Sequence, residues 1–357
     1  MKVEVLSQKV ICSNEDNKIH NYFAWPTVTR LHNGRLAMVA SGFRMRHIDP
    51  FGKVILSYSE DEGKTWSRPS IIMDTPLDDR DAGIVPFGDN KVIVTSFHSG
   101  YDVNRRWAGG DESDYSSYLH GYLDIIEKEY GWEKNMGSTY RISSDNCNTF
   151  GPIMKIPVTC PHGPAAMPDG SLLYVGHNFS YGIKERQINC YKVFPDGTYE
   201  FLSEIENVGA GFYSYEPHTI VTENGKVIVH IRVETNEGTV FTIYQCESYD
   251  GGKSFTKPHP VLSEKGGAPA HIINHNGTLI SAYGYRSEPY GIRVMFSRDQ
   301  GETWDVDHIL VENEEHYDMG YPASVALKDG SILTVYYAAS YKEGTSSAIK
   351  QVIWRYQ

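Results

Sequence analysis

Long apolar runs are missing from this chain of 357 residues. Its start, Met1-Lys2-Val3-Glu4-Val5-Leu6-Ser7-Gln8-Lys9-Val10, has no uninterrupted apolar stretch of the kind a secretory leader needs, and no later segment is long enough to span a bilayer. The expectation is a cytoplasmic protein without a membrane partner, or a secreted one if a leader has been removed. Basic charge is also in deficit: 33 Lys and Arg against 45 Asp and Glu leave a formal net charge of −12, and no basic run gathers the cations locally. That balance argues against nucleic acid or an anionic membrane as partner. Cysteine is sparse. Cys12, Cys147, Cys160, Cys190 and Cys246 are scattered, odd in number and without metal-ligand spacing, so neither a disulfide framework nor a zinc site is expected. No cofactor is expected either.

What the chain has is repetition. The phrase Ser-X-Asp-X-Gly-X-Thr/Ser-Trp/Phe stands at 59–66, 143–150, 248–255 and 297–304, with Cys147 in place of the glycine in the second copy. Asp can bond nearby backbone amides, Gly accepts a positive φ, and the terminal aromatic packs back under the hairpin, so the phrase reads as a structural turn. On sequence, Cys147 marks the second copy as decayed.

A second ladder is more complete. Asn33-Gly34, Asp89-Asn90, Asp169-Gly170, Asn224-Gly225, Asn276-Gly277 and Asp329-Gly330, each flanked by alternating apolar residues, are dipeptides that tight hairpins prefer. Their spacings are 56, 80, 55, 52 and 53 residues, which suits four-stranded units with a surplus in the second. The expected fold is therefore all-β: a six-bladed β-propeller forming a single domain over 1–357, closed by pairing of Val3–Ile11 with Ile349–Trp354. The surplus, an insertion at about 98–138 on the ligand face, holds Tyr118, Tyr122, Ile125, Ile126 and Tyr130 at helical spacing and predicts a short amphipathic helix within Ser113–Gly131. Packing, or a lid over the site, would occupy its apolar face.

Seven residues before the hairpin turn the chain repeatedly places proline: Pro26, Pro217, Pro269 and Pro322, with Pro164 shifted by two. A strand's first residue tolerates proline. The position just before it is Trp25, Asp81, Gly163, Glu216, Ala268 and Tyr321 around the repeats. The second strands end at Arg44, His98, His177, Arg232, Arg286 and Tyr337. The start of the first strand and the end of the second share one face, so these twelve positions should converge on a central pocket. Arginines at three of them offer planar forks suited to a carboxylate.

The four Ser-X-Asp turns resemble the Asp-box of sialidases and related β-propellers, and the whole chain resembles the sialidase (neuraminidase) superfamily. Tyr215-Glu216-Pro217-His218, followed by Asn224-Gly225 and Arg232, is similar to the family's stretch with a glutamate base and one arginine of its carboxylate-binding triad. Gly320-Tyr321-Pro322 is similar to the stretch with its nucleophilic tyrosine. Asp49 lies near the place of the general acid, and Arg286 near that of the last triad arginine. One departure stands out: where the family has Arg-Ile-Pro, this chain has Ala24-Trp25-Pro26. Either Arg44 or Arg80 takes over the missing charge, or the substrate is not an ordinary sialoside.

The resemblance implies a retaining exo-glycosidase acting on a terminal, acidic sugar, with Tyr321 as nucleophile, Glu216 as its base and Asp49 as acid. A phenol needs such a base, because its ordinary pKa is about 10. Asp81 reads as a second acid or a sugar-hydroxyl ligand. Arg44, Arg80, Arg232 and Arg286 would hold the acidic group, and His98, His218 and His271 also approach this face, in stacked or hydrogen-bonded roles rather than as metal ligands. The alternatives are a glycosidase or lyase on a non-sialic sugar, and a non-catalytic carbohydrate-binding propeller.

Overall fold

Alternating apolar residues on either side of each turn dipeptide form antiparallel hairpins, and hairpin adds to hairpin until strands supply nearly all of the regular structure among the described residues. The computed structural model describes residues 1–357 except 15, 18, 100–102, 106–113, 132–135, 179–186 and 343–345. One four-stranded sheet comprises Asp78–Phe87, Lys91–Ser99, Gly137–Ser143 and Met154–Ile156; a second Phe212–Val221, Val227–Thr235, Phe241–Ser248 and His259–Pro260; a third Ala270–His275, Thr278–Tyr285, Gly291–Ser297 and Asp305–Val311. A five-stranded sheet is built on Leu172–Asn178, with Ala165–Ala166 along its inner edge.

The remaining strands form one eight-stranded sheet, so hydrogen bonding gives four separate blade-sized sheets rather than the expected six. The cause is local. Tyr22 pairs in parallel with Ser347, which joins Tyr22–Arg30, Leu36–Arg44, Lys53–Ser59 and Ser70–Met73 to Met319–Ala326, Ile332–Ser340 and Ser346–Tyr356. Strand Val3–Cys12 pairs antiparallel with Ser346–Tyr356, Val3 opposite Tyr356 and Cys12 opposite Ile349, which is the closure expected from the sequence.

The arrangement is that of a propeller. Inner strands Tyr22–Arg30, Asp78–Phe87, Ala165–Ala166, Phe212–Val221, Ala270–His275 and Met319–Ala326 each contact the next, and the last contacts the first. Apolar clusters fill the wedges between neighbouring sheets. One packs Tyr22, Phe23, Trp25 and Met38 against Leu333, Val335 and Tyr337, and another packs Leu173, Val175 and Cys190 against Val227, Val229 and Cys246.

All four Asp-boxes adopt one geometry. The Ser Oγ donates to Asp Oδ1 at 2.7–2.9 Å and accepts from the amide of the fifth residue at 2.8–2.9 Å. Asp Oδ1 takes the amide of the seventh residue at 2.8–2.9 Å, and Oδ2 takes its hydroxyl. Cys147 adopts φ 64° where the other copies have Gly at 80–90°, so the substituted copy keeps its turn. Each box also latches onto the preceding set of strands. Trp66 Nε1 donates to Gln351 Oε1 at 2.8 Å while Gln351 Nε2 donates to Gly63 O, and Trp304, Gln245 and Gly301 repeat the same clamp. Tyr58 Oη reaches Cys147 O, and Ser203 Oγ reaches Gly252 O.

The expected helix runs Asp114–Tyr130, but its buried face is Leu119, Leu123 and Ile126, while Tyr118, Ile125 and Tyr130 are exposed. Phe51 meets Tyr118 and Tyr122, with ring centroids 5.6 and 4.7 Å away, so the helix backs the loop between Leu36–Arg44 and Lys53–Ser59. The rest of the expected insertion falls largely outside the described residues. Among those described, no helix is long and apolar enough to cross a membrane. The five cysteines are buried and unpaired.

Candidate functional site

The backbone itself singles out the positions just before the prolines. Trp25, Asp81, Glu216 and Tyr321 have φ of 55°, 48°, 43° and 49°, a region that residues other than glycine seldom enter. Each sits where the ladder to the second strand skips: between Ala24 and Thr27, Arg80 and Gly83, Tyr215 and His218, Gly320 and Ala323. A bulge inserts an unpaired residue and re-aims its side chain. Four bulges at one level bring four side chains from distant parts of the chain together. Left-handed conformations outside glycine cost of order 1–3 kcal/mol each and persist where the surroundings over-determine them.

At the centre, Tyr321 Oη donates to Glu216 Oε1 at 2.5 Å, and Arg232 Nη1 donates to Glu216 Oε2 at 2.7 Å. Arg232 Nη1 also lies 3.4 Å from Tyr321 Oη, and its Nη2 binds Glu234 at 2.8 Å. Burial pushes the Glu216 carboxyl up, but the Arg232 guanidinium and the two donated bonds outweigh it, and Glu216 stays below the usual glutamate range. Burial, reinforced by the charges of Glu216 and Asp81, holds the Tyr321 phenol well above its ordinary value. Tyr321 is therefore a neutral phenol whose proton already points at a carboxylate. The Arg286 guanidinium lies 5.7 Å from the Tyr321 ring centroid, with Nε donating to Met319 O.

Asp81 faces this group. Burial, added to the charge of Glu216, outweighs Arg80 and pushes its carboxyl up to about 7. Its Oδ1 is buried with no hydrogen-bond partner among the described residues. The site thus sets a carboxylate held below its usual range and one raised toward neutrality around one tyrosine, the divergence that acid and base roles require.

Beside it, a cavity of about 360 Å³ is lined by Arg46, His47, Ile48, Arg286, Tyr317, Asp318 and Tyr341. Asp318 collects hydroxyl donors from Tyr22, Tyr337 and Tyr341 at 2.7, 2.8 and 2.6 Å, and His47 Nδ1 lies 3.0 Å from its Oδ1. Burial raises the Asp318 carboxyl, yet these bonds hold it far below the ordinary range. Sequence reasoning missed His47 and Asp318. The usable signal was the carboxylate three residues before Tyr321, close to the ring position.

Several expected ligands have other work. Arg44 is fully buried: Nη1 binds Asp78 Oδ1 at 2.6 Å and Ser41 Oγ at 2.8 Å, and Nη2 binds His47 O at 2.9 Å. It is a scaffold cation, not a substrate clamp. Arg80 lies over Trp25, its guanidinium carbon 4.0 Å from the ring centroid, and donates to His47 O. Asp49 takes the amides of Met45 and Arg46 on Oδ2 and that of Phe51 on Oδ1, so it fixes the loop turn; it is buried, which pushes its carboxyl up, and it does not line the cavity described above. His98 is buried between Asp79 and Thr139, at 2.5 and 2.7 Å.

His218 and His271 point into the axis below the site, where with His162 they line a second cavity, of about 320 Å³, that extends toward the turn ends of the inner strands. His218 Nδ1 accepts the Ile272 amide and His271 Nδ1 the Ser324 amide, so each histidine ties one inner strand to the next. A neutral imidazole has one lone pair, and here both are engaged by backbone. Among the described residues no group of three or more His, Cys, Asp or Glu side chains is arranged to hold a metal.

Comparison with solved structures returns the same fold. A protein of unknown function from Dyadobacter fermentans matches with a TM-score of 0.77 at 20% identity, over 99% of each chain. NanB sialidase from Streptococcus pneumoniae matches at 0.69 and 13%, over 97% of this chain and 70% of that one. The intramolecular trans-sialidase from Ruminococcus gnavus matches at 0.63 and 15%, over 91% and 92%. At such identities the likeness is one of fold. No curated protein matches by sequence. The sequence profile of the BNR repeat-like domain matches residues 113–334, well over half of the chain, and the chain belongs to that family.

Proposed function

We propose that this protein is a sialidase-like exo-glycoside hydrolase that cleaves a terminal, acidic sugar with retention, on a propeller of six blades in which the eight-stranded sheet counts as two. The observation that carries the reading is the Tyr321–Glu216 bond of 2.5 Å, with Arg232 holding the second carboxylate oxygen. Binding alone does not demand a base beside a phenol. Tyr321 Oη attacks the anomeric carbon and passes its proton to Glu216. A neutral phenol suits an anomeric carbon that bears a carboxylate, which would repel an anionic nucleophile. Arg286, at the wall of the larger cavity, pairs with the acidic group, and Asp81, protonated near neutrality, donates to a sugar hydroxyl.

Trp25, fully buried and packed under Arg44 and Arg80, supports a second reading. With Ala24 in place of an arginine and Arg44 tied to Asp78, the carboxylate clamp is smaller than a sialoside site's, which favours a glycosidase or lyase on another acidic sugar. A panel of nitrophenyl glycosides, including a sialoside and uronides, tests both readings together with Tyr321→Phe. Turnover of one member, lost in the folded Phe variant, is expected. Undiminished turnover in that variant removes tyrosine as nucleophile, and binding without release across the panel favours a carbohydrate-binding propeller.

A further inference from the structure

Asp49 is buried in the loop turn rather than set at the cavity wall, Asp81 is assigned above to a sugar hydroxyl, and a second proton-handling pair stands at that wall. We infer that His47, oriented by Asp318, is the acid and base that exchanges a proton with the leaving-group oxygen. This rests on the glycosidase reading above.

The geometry fixes which nitrogen acts. Asp318 accepts three tyrosine hydroxyls and can only accept, and the Tyr22 hydroxyl donates to Asp318 Oδ2, leaving its oxygen to accept. His47 Nδ1, 3.0 Å from Asp318 Oδ1 and 2.9 Å from Tyr22 Oη, must therefore carry a hydrogen. Nε2 is then the nitrogen at which a proton can come and go. An imidazole whose other nitrogen is held by a carboxylate is oriented and supported as a cation. The ring is further fixed by Trp25, edge to face at 5.1 Å, and the His47 carbonyl is pinned by Arg44 and Arg80 at 2.9 and 3.1 Å. The side chain stays 39% exposed, unlike its partners, and lines the cavity together with Arg286, the residue that covers Tyr321. A volume of about 360 Å³ lies at the small end of ligand pockets, about 300–1,000 Å³.

The proton balance closes. In the first step the bond from the anomeric carbon to the leaving oxygen breaks and that to Tyr321 Oη forms. The tyrosine proton passes to Glu216 and the Nε2 proton of the His47 imidazolium passes to the leaving oxygen. In the second step water adds to the anomeric carbon, its proton returns to His47 Nε2, and Glu216 returns the other to the departing Tyr321 oxygen. The groups facing His47 are Asp318 and Tyr22 on one side, Arg44 and Arg80 behind, and Arg286 and Tyr341 across the cavity. Burial and the two arginines lower the His47 pKa more than Asp318 raises it, so the protonated form and the rate both decline as pH rises through a value below 6.5.

The test compares wild type, His47→Gln and Asp81→Asn on glycosides of the hydrolysed sugar, from nitrophenyl to alkyl leaving groups, with and without azide. For His47→Gln the alkyl glycosides are expected to lose about 10²–10⁴-fold in kcat/KM and the nitrophenyl glycoside far less, with azide accelerating turnover. In His47→Gln the descent that begins below pH 6.5 should vanish, leaving the later one that Asp81 contributes near pH 7. Asp318→Asn should reproduce part of the leaving-group dependence. An unchanged leaving-group slope in His47→Gln, a steepened one in Asp81→Asn alone, or an equal loss on all substrates without azide rescue overturns the inference while the Tyr321 reading stands. Absence of turnover by wild type across the panel overturns both.

Discussion

Replacing Asp81 by Asn should stabilise the protein, and by an amount that depends on pH. The folded carboxyl, raised chiefly by burial, keeps its proton up to about pH 7, whereas the unfolded one releases it near the ordinary 3.8. Between these values the folded state holds one proton more than the unfolded state, so stability falls by about 1.4 kcal/mol per pH unit. Below about pH 4 both states are protonated and the penalty is absent. By pH 8 it is complete, at about 4 kcal/mol. Asn carries no charge and, like Asp, tolerates the left-handed backbone that φ 48° imposes, so it removes the penalty without adding strain. Urea unfolding of both proteins at pH 5 and pH 8 reads the difference. The midpoint of Asp81→Asn should exceed wild type by about 1.7 kcal/mol over the m-value at pH 5 and by about 4 kcal/mol over the m-value at pH 8, with m unchanged. A difference that is constant with pH would refute the reasoning, because only a titrating native carboxyl makes it vary.

Gly63→Ala should cost roughly 2–4 kcal/mol in thermal or urea unfolding, since φ is 80° and the new Cβ would lie 2.3 Å from Leu333 Cδ1. Gly34→Ala, at φ 86° with no atom within 4 Å, should cost only roughly 1–2 kcal/mol. Arg44→Met leaves Asp78 buried with only long bonds to Arg80 and Ser99, at 3.5 and 3.3 Å; a loss of about 3–5 kcal/mol is expected, with KM unchanged in the fraction that folds. His218→Ala strands the Ile272 amide and should cost about 1–3 kcal/mol, again without moving KM, whereas a large KM change would return that histidine to the substrate face.

The repeat ruler made the central group legible. Counting back from the hairpin dipeptides reached Asp81, Glu216 and Tyr321 because strand length is periodic and the bulge sits at a fixed distance from the turn. The same ruler placed Arg44 and His98 at the pocket and could not see their fate. Whether a cation at a strand end faces a ligand or an Asp on a neighbouring strand depends on contacts between residues far apart, such as Arg44 with Asp78. Asp49 stands near the place of the general acid in the sequence, and only the folded loop shows the amides of Met45, Arg46 and Phe51 converging on it. His47 and Asp318 are 271 residues apart, and neither belongs to a repeated phrase. The sheet count was hidden for a related reason: one parallel contact, Tyr22 with Ser347, merges strands that the turns keep separate.

The left-handed backbone at Trp25, Asp81, Glu216 and Tyr321 also sets limits on how this pocket can change. Chemistry can be exchanged at those positions only among side chains that tolerate positive φ, which admits Asn, Asp, His and Gly readily and disfavours Val, Ile and Thr. A library that randomises the four positions over all twenty amino acids would therefore lose most of its β-branched members to misfolding before any substrate was tried. A reduced alphabet of acids, amides, aromatics and glycine would keep the scaffold while altering the ligand. New specificities on this ring are reached by exchanging polar and aromatic groups, and aliphatic reshaping is left to the cavity wall around Ile48.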